Sequence, residues 1–222
     1  MFRKFEKTFR IVVPQYQTHG KLCLSNAEVR GLLTGNVVIE EKLDGANVGI
    51  IRNKSDLGFA LQKRGSLVGP SEHTQFNYFV NWAHNNREGI LKMKLGEIAY
   101  CELLYAKHNM HYTSLPSLVM LLDVFDSRAG EYINLPKKKE FSDRVGLRMT
   151  PVLYDGQGPR LTDLVGFIGR SSFADCLMEG IVVKNYRKQM RGKIVRPEFM
   201  KEIDESDHWA EQAVTKNTCM GG

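Results

Sequence analysis

Two apolar, β-favouring runs, Val37-Val38-Ile39 and Val48-Gly49-Ile50-Ile51, bracket the string Glu40-Glu41-Lys42-Leu43-Asp44-Gly45-Ala46-Asn47. The pattern predicts strand, short turn and strand, with a lysine, an acid and a glycine at the joint. On an open surface such a lysine is a solvated cation of pKa about 10.4 and attacks nothing at neutral pH. Beside other cations in a partly dry pocket its ammonium is destabilised, and the neutral amine becomes a nucleophile. Gly45 removes a side chain where a phosphate or sugar would come close to the backbone. The same string also suits a hairpin turn carrying a solvated lysine, so the rest of the chain must decide between the two.

With 222 residues, 42% hydrophobic and 25% charged, the chain has the length and composition of one soluble globular domain. No run approaches the roughly 20 apolar residues of a membrane span, and Met1-Phe2-Arg3-Lys4 leads into no signal-peptide core. Cys23, Cys101, Cys176 and Cys219 lie far apart with no C-x-x-C spacing. That spacing favours reduced thiols and a cytoplasmic location over a disulfide framework or a zinc site. His108 and His111 read as polar loop residues. A net charge of +6 and a pI of about 9.1 suit a polyanionic partner.

Ser25-Asn26-Ala27-Glu28 is a capping box, opening a short helix that stops at Gly35. Strand patterns follow at 37–43, 48–53 and 59–64. Phe76, Phe79, Val80, Trp82 and Ala83 stand at helical spacing within 71–93. Strands are expected again at 97–105, 119–126 and 131–135, helices at 137–147 and 161–170, and strands at 180–186 and 193–196. A polar, helix-prone tail begins at Pro197. Strands that mostly follow one another by short turns predict an α+β fold of antiparallel sheets flanked by helices. The whole of 1–222 reads as a single domain, with 202–222 a helix-prone tail.

Further charged residues interrupt apolar strands. Gln62-Lys63-Arg64-Gly65 ends one, and the fork of Arg64 suits a phosphate or a ribose hydroxyl. Glu102 lies within Tyr100-Cys101-Glu102-Leu103-Leu104, where a carboxylate is costly without a partner. Asp123 interrupts Met120-Leu121-Leu122-Asp123-Val124-Phe125. Glu179-Gly180 opens an apolar run that closes on Lys184, and Lys193 follows in Gly192-Lys193-Ile194-Val195-Arg196. Each alone could be a paired core ion or a solvated strand face; the full ordered set is hard to reach by chance.

That ordered set resembles the covalent nucleotidyltransferase superfamily, which includes the polynucleotide ligases and the mRNA capping enzymes. Lys42-Leu43-Asp44-Gly45-Ala46-Asn47 is similar to its nucleotide-accepting motif. Arg64-Gly65, Glu102, Leu122-Asp123, Glu179-Gly180 through Lys184, and Lys193 follow in the family's order. Asn47 and the Met1-Phe2-Arg3-Lys4-Phe5 start resemble the RNA ligase 2 branch, with its phage and kinetoplastid members. That branch carries an aromatic where this chain has Leu122; Phe125 is expected on the opposite strand face. A second lysine is usual at the position of Val195.

The resemblance implies an ATP-grasp-like nucleotidyltransferase fold and an ATP-dependent RNA ligase that seals 5′-phosphate and 3′-hydroxyl ends through AMP bound to Lys42. It implies catalytic roles for Lys42, Lys184 and Lys193. Glu41, Asn47, Arg64, Glu102, Leu122 and Glu179 would join them in binding ATP, and Glu179 and Asp123 would hold Mg²⁺ or Mn²⁺. The expected partner is RNA with nicked or broken ends, and no membrane. Only 21 residues follow Lys201, so no OB domain is expected, and a partner protein could replace the absent C-terminal domain. The competing readings are a minimal DNA ligase, a 5′-adenylating enzyme that never seals, and a non-catalytic nucleic-acid-binding protein.

Overall fold

The computed structural model describes residues 2–16, 22–69, 74–199 and 215–220. Its strands form two sheets. In spatial order the first contains β1 (Phe9–Arg10), β11 (Met190–Val195), β10 (Gly180–Asn185), β2 (Asn36–Lys42) and β9 (Val152–Gln157). The second runs β4 (Phe59–Lys63), β3 (Ala46–Arg52), β5 (Glu97–Leu103), β6 (Val119–Asp126) and β7 (Glu131–Tyr132), and β8 (Arg148–Met149) joins β6. Neighbours are antiparallel except β1 with β11 and β6 with β8.

Period-two alternation gives each sheet one face for its own core and one for its partner sheet. In the first sheet Val37, Ile39, Ile181, Val183 and Ile194 point outward, beneath α1 (Asn26–Leu33) and a 3₁₀ helix (Leu161–Phe167). In the second, Val48, Ile50, Ala99, Cys101 and Val124 pack under α2 (Thr74–Asn85), α3 (Arg87–Leu91) and α4 (Leu135–Val145). Between the sheets, charged side chains stand beside a smaller cluster of Ile51, Ile98, Tyr100, Phe125 and Tyr132. Each fully buried aliphatic side chain in the two outer cores contributes about 1.5–3 kcal/mol relative to exposure.

The capping box forms as expected: the Ser25 hydroxyl accepts from Glu28 N, and the Glu28 carboxylate accepts from Ser25 N at 2.7 Å. Several boundaries differ from expectation. The helix anticipated over 71–93 is broken at Asn86, whose amide side chain donates back to the Trp82 carbonyl; residues 71–73 lie outside the described set. Residues 137–147 were expected to begin a helix after Pro136, yet α4 starts at Leu135. Proline fits a first helical turn, and Asn134 caps it by accepting from Lys137 N. The strand anticipated over 131–135 is short: β7 covers Glu131–Tyr132, Ile133 N still donates to Val124 O at 3.0 Å, and the helix cap follows at Asn134. Helix 161–170 is a 3₁₀ helix ending at Phe167. Of the helix-prone tail, 202–214 fall outside the described residues, and 215–220 are bridged in extended fashion and contain no helix. Strand β9 was missed because Tyr154-Asp155-Gly156-Gln157 is a polar edge with no alternation to detect.

Candidate active site

The lysine-bearing string is no hairpin. Strand β2 pairs with β10 and β9, whereas β3 pairs with β4 and β5. Leu43–Gly45 therefore carries the chain from one sheet to the other, and Lys42 lies at the seam. Gly45 is needed for a reason the sequence did not suggest. A Cβ there would come 2.5 Å from the Leu103 carbonyl oxygen and 2.8 Å from Leu104 Cδ2. The close neighbour is strand β5, and Gly45 N donates to Glu102 Oε1 at 3.1 Å. On the other side of the turn, Asp44 Oδ2 accepts from the backbone amides of Asn109 (2.8 Å) and Met110 (2.9 Å).

A cleft of about 210 Å³ opens between the sheets. The first sheet lines it with Lys42, Lys184 and Lys193, and the second with Asn47, Glu102 and Leu122. Arg64, exposed just past the end of β4, stands at its edge. Phe5, Glu6 and Thr8 of the N-terminal segment also line it, a contribution that local pattern could not reveal. Glu179 is reached through Lys42, whose Nζ lies 2.6 Å from Glu179 Oε2. The cleft thus gathers nearly all the residues singled out from sequence.

Their chemistry differs from expectation in several places. Burial pulls the Lys42 amine down, but the carboxylates of Glu179 and Glu102 outweigh that effect and hold it above its ordinary value. Without ligand it is an ion-paired ammonium, not the cation-depressed amine anticipated. Among the amines lining the cleft, Lys193 is brought down, to about 8, through burial and then the neighbouring charge of Lys42. Burial pushes Glu102 up to about 7, with Glu179 and Asp44 adding to the rise against Lys42. Glu179 is raised as well, by burial first.

Asp123 was expected to hold a metal, and its surroundings argue otherwise. Tyr186 donates to Oδ1 at 2.8 Å, while Arg191 (3.0 Å) and Lys184 (3.1 Å) take Oδ2. Burial alone would raise this carboxyl, but Lys184 and Arg191 hold it down at about 2. Asp123 is a counter-ion. Lys184 is likewise engaged, at 2.8 Å from both Glu40 Oε2 and the Leu122 carbonyl. Glu40 also receives Lys138 Nζ at 2.6 Å and Thr150 Oγ1 at 2.8 Å. Glu41 contributes to the lining, but its carboxylate accepts from Ser171 Oγ and Ser172 N.

Glu40, Lys138, Arg191 and Tyr186 were not identified from sequence. Glu40 left a trace, since adjacent acids inside one apolar strand must put one of them between the sheets. Lys138, in the run Lys137-Lys138-Lys139, left none. Phe125 also departs from expectation. Leu122 is skipped in the pairing of β5 with β6, between Asp123 opposite Tyr100 and Leu121 opposite Cys101. This bulge resets the alternation, so Phe125 shares a cluster with Tyr100 and Ile98, and the Arg3 guanidinium covers its ring at 3.9 Å.

Two observations bear on what the cleft could bind. Asn47 lines the cleft, and its Oδ1 is buried without a hydrogen-bond partner, an acceptor that a hydroxyl would satisfy. Glu102, Glu179 and Asp44 all act on the Lys42 ammonium, with Lys193 also acting on Glu179, and a divalent cation would relieve the remaining negative charge. No group of three or more His, Cys, Asp or Glu able to hold a metal occurs among the described residues. A cation here would therefore share its coordination with a ligand's oxygens. No helix among the described residues is long and apolar enough to cross a membrane.

Residues 35–197 match the RNA ligase family. No curated protein matches the chain. Among solved structures it is similar to Naegleria gruberi RNA ligase with PPi, at a TM-score of 0.67 and 15% identity over 92% of this chain and 59% of that one. It is also similar to a lysine-to-methionine variant of that ligase with AMP and Mn (0.65, 14%, 92% and 59%). A lysine-to-alanine variant with ATP and Mn gives 0.65 and 14% over 79% and 54%. The chain thus spans little more than half the length of these neighbours, and at such identities the likeness is one of fold.

Proposed function

Because the chain belongs to the RNA ligase family, we propose that it is an ATP-dependent RNA ligase in which Lys42 accepts AMP and passes it to a 5′-phosphate. The observation that carries this reading is the placement of Lys42 at the seam of the two sheets, ion-paired to a buried glutamate, with Lys193 on its own sheet and Glu102 on the other lining the same cleft. Binding alone needs no such lysine.

In the first step Lys42, having released its proton to solvent, attacks the α-phosphorus of ATP. A nitrogen–phosphorus bond forms, and the bond to the pyrophosphate oxygen breaks. The developing charge on the phosphoryl oxygens is met by Lys193, which is cationic below about pH 8. Lys184, paired with Glu40 and Asp123, lines the same wall. Glu102 and Asn47 Oδ1 accept hydrogen bonds from the ribose hydroxyls, and Arg64 donates to ribose or phosphate. Leu122 offers an aliphatic surface to the base, with the backbone of Glu41 at its edge. Mg²⁺ or Mn²⁺ held by Glu179 would take away the counter-charge of the Lys42 ammonium and so favour the free amine. AMP is then transferred to the 5′-phosphate of an RNA end, and a 3′-hydroxyl displaces it to join the strand.

The test is incubation with ATP labelled at the α-phosphate, with and without Mg²⁺. A covalent protein–AMP adduct is expected, lost in Lys42→Ala; an adduct that survives this change overturns the assignment. Nicked duplexes with RNA or DNA on each side of the break then report the substrate. Sealing confined to all-DNA nicks would replace the RNA reading with that of a DNA ligase, and AMP transfer without sealing would leave a 5′-adenylating enzyme.

A further inference from the structure

Resting on the reading of Lys42 as the AMP acceptor, the geometry points to Asn217 as a positioning residue for that lysine, acting through Tyr112 and Asp44 from the far end of the chain.

Residues 104–118 leave β5, loop around Asp44 and return into β6. The loop is what holds the turn after Lys42. Asn109 N and Met110 N bond the Asp44 carboxylate, and Asp44 N donates to the Tyr112 hydroxyl at 2.8 Å. Leu43, next to Lys42, is buried against Leu104, Met110, Tyr112 and Leu115. Such a loop owes its shape to whatever ties its arms together, and here the tie comes from 215–220.

Asn217, only 4% exposed, lies between the two arms. Its Nδ2 donates to the carbonyls of Leu104 (2.9 Å) and Ala106 (3.2 Å), and its Oδ1 accepts from Tyr112 N at 2.9 Å. One amide side chain therefore engages the outgoing arm with its donors and the returning arm with its acceptor. Backbone bonds flank it: Lys107 N to Thr215 O (2.7 Å), Asn217 N to Tyr105 O (3.1 Å) and Thr218 N to Tyr112 O (3.0 Å). No other side-chain type of this size offers donors and an acceptor in one plane. Aspartate would lose both donations, and alanine would lose everything.

The consequence is kinetic. The side chains assigned to ATP, Asn47, Arg64, Glu102 and Lys193, lie outside the 43–45 turn, so loosening the turn leaves nucleotide affinity largely intact while Nζ spends less time in line with the α-phosphorus. A small displacement of a reacting group costs about tenfold to a hundredfold in rate.

The experiment measures the single-turnover rate of protein–AMP formation at saturating ATP, and ATP affinity separately, for wild type, Asn217→Ala, Tyr112→Phe and the double variant, all well below their melting temperatures. For both single variants the rate is expected to fall by about tenfold or more with affinity changed less than about twofold, and the double variant is expected to be no slower than the slower single one, because both act along one chain of contacts. Should Asn217→Ala fail to fold, Tyr112→Phe, which removes only a hydroxyl, carries the same expectation. Unchanged rates in the folded variants, or losses that multiply in the double variant, overturn the inference. Absence of the adduct in wild type would instead overturn the assignment of Lys42.

Discussion

Two of the amines that the first sheet places in the cleft, Lys42 and Lys193, are held in opposite states by their neighbours. Lys42 carries its proton because Glu179 and Glu102 surround it, and Lys193 loses its own near pH 8 because burial and like charges surround it. This difference makes the pH dependence of binding readable. Below about 8 the Lys193 ammonium is present and attracts the triphosphate; as pH rises through 8 it is lost, and ATP affinity should decline by up to about tenfold per pH unit. Lys193→Arg keeps its charge and should flatten that decline. Titration calorimetry between pH 7 and 9.5 checks both, and a wild-type affinity independent of pH would remove Lys193 from the phosphate site. The linked stability has the opposite sign. The folded protein resists protonating Lys193, so its contribution to stability should increase as pH rises from about 8 toward the unfolded value of about 10.4.

Among elements, the crossing from β2 to β3 is the decisive one. Its three residues bridge two sheets, and they can do so only because Gly45 lets the turn rest on the β5 backbone, at a distance no Cβ tolerates. Gly45→Ala should therefore force the turn away from Leu103 and break the Gly45–Glu102 bond. The expected loss is about 1–3 kcal/mol of stability, the usual cost of overpacking, with adduct formation reduced more than stability alone explains. Chemical denaturation and adenylylation at a temperature where the variant stays folded separate the two effects. A variant as active and as stable as wild type would mean that the turn has room to move.

At the level of the whole molecule, the two sheets are joined behind the cleft by buried charge. Glu40 and Lys184 of the first sheet meet Asp123 and the Leu122 carbonyl of the second, and Lys138 reaches in from α4 with no exposed surface. Burial and the two lysines act on Glu40 in opposite directions, and the lysines prevail, keeping it ionised. Removing one member of such a network leaves an uncompensated charge, at about 3–5 kcal/mol. Lys138→Met should lower stability by that order, measured by urea denaturation, while Lys42, in another part of the cleft, keeps its ion pair. A loss under about 1 kcal/mol would show that Lys184 alone suffices for Glu40.

The elements and the ordered list of charged residues could be read from the chain, because they rest on local physics: β-branched runs, a capping box, acids and lysines placed where apolar strands should have none. The partners of those residues could not. Whether Lys42 meets a carboxylate or a cation depends on Glu179, 137 positions away, and Asp123 looks the same in sequence whether it faces a metal or three donors. A one-residue bulge at Leu122 was enough to put Phe125 on the face opposite to that expected, and residues 215–220 gave no sign that they would brace the turn after Lys42. Periodicity records which face of its own strand a side chain occupies. What stands across from that face is set by the packing of distant segments, and the opposite shifts of Lys42 and Lys193 are decided there.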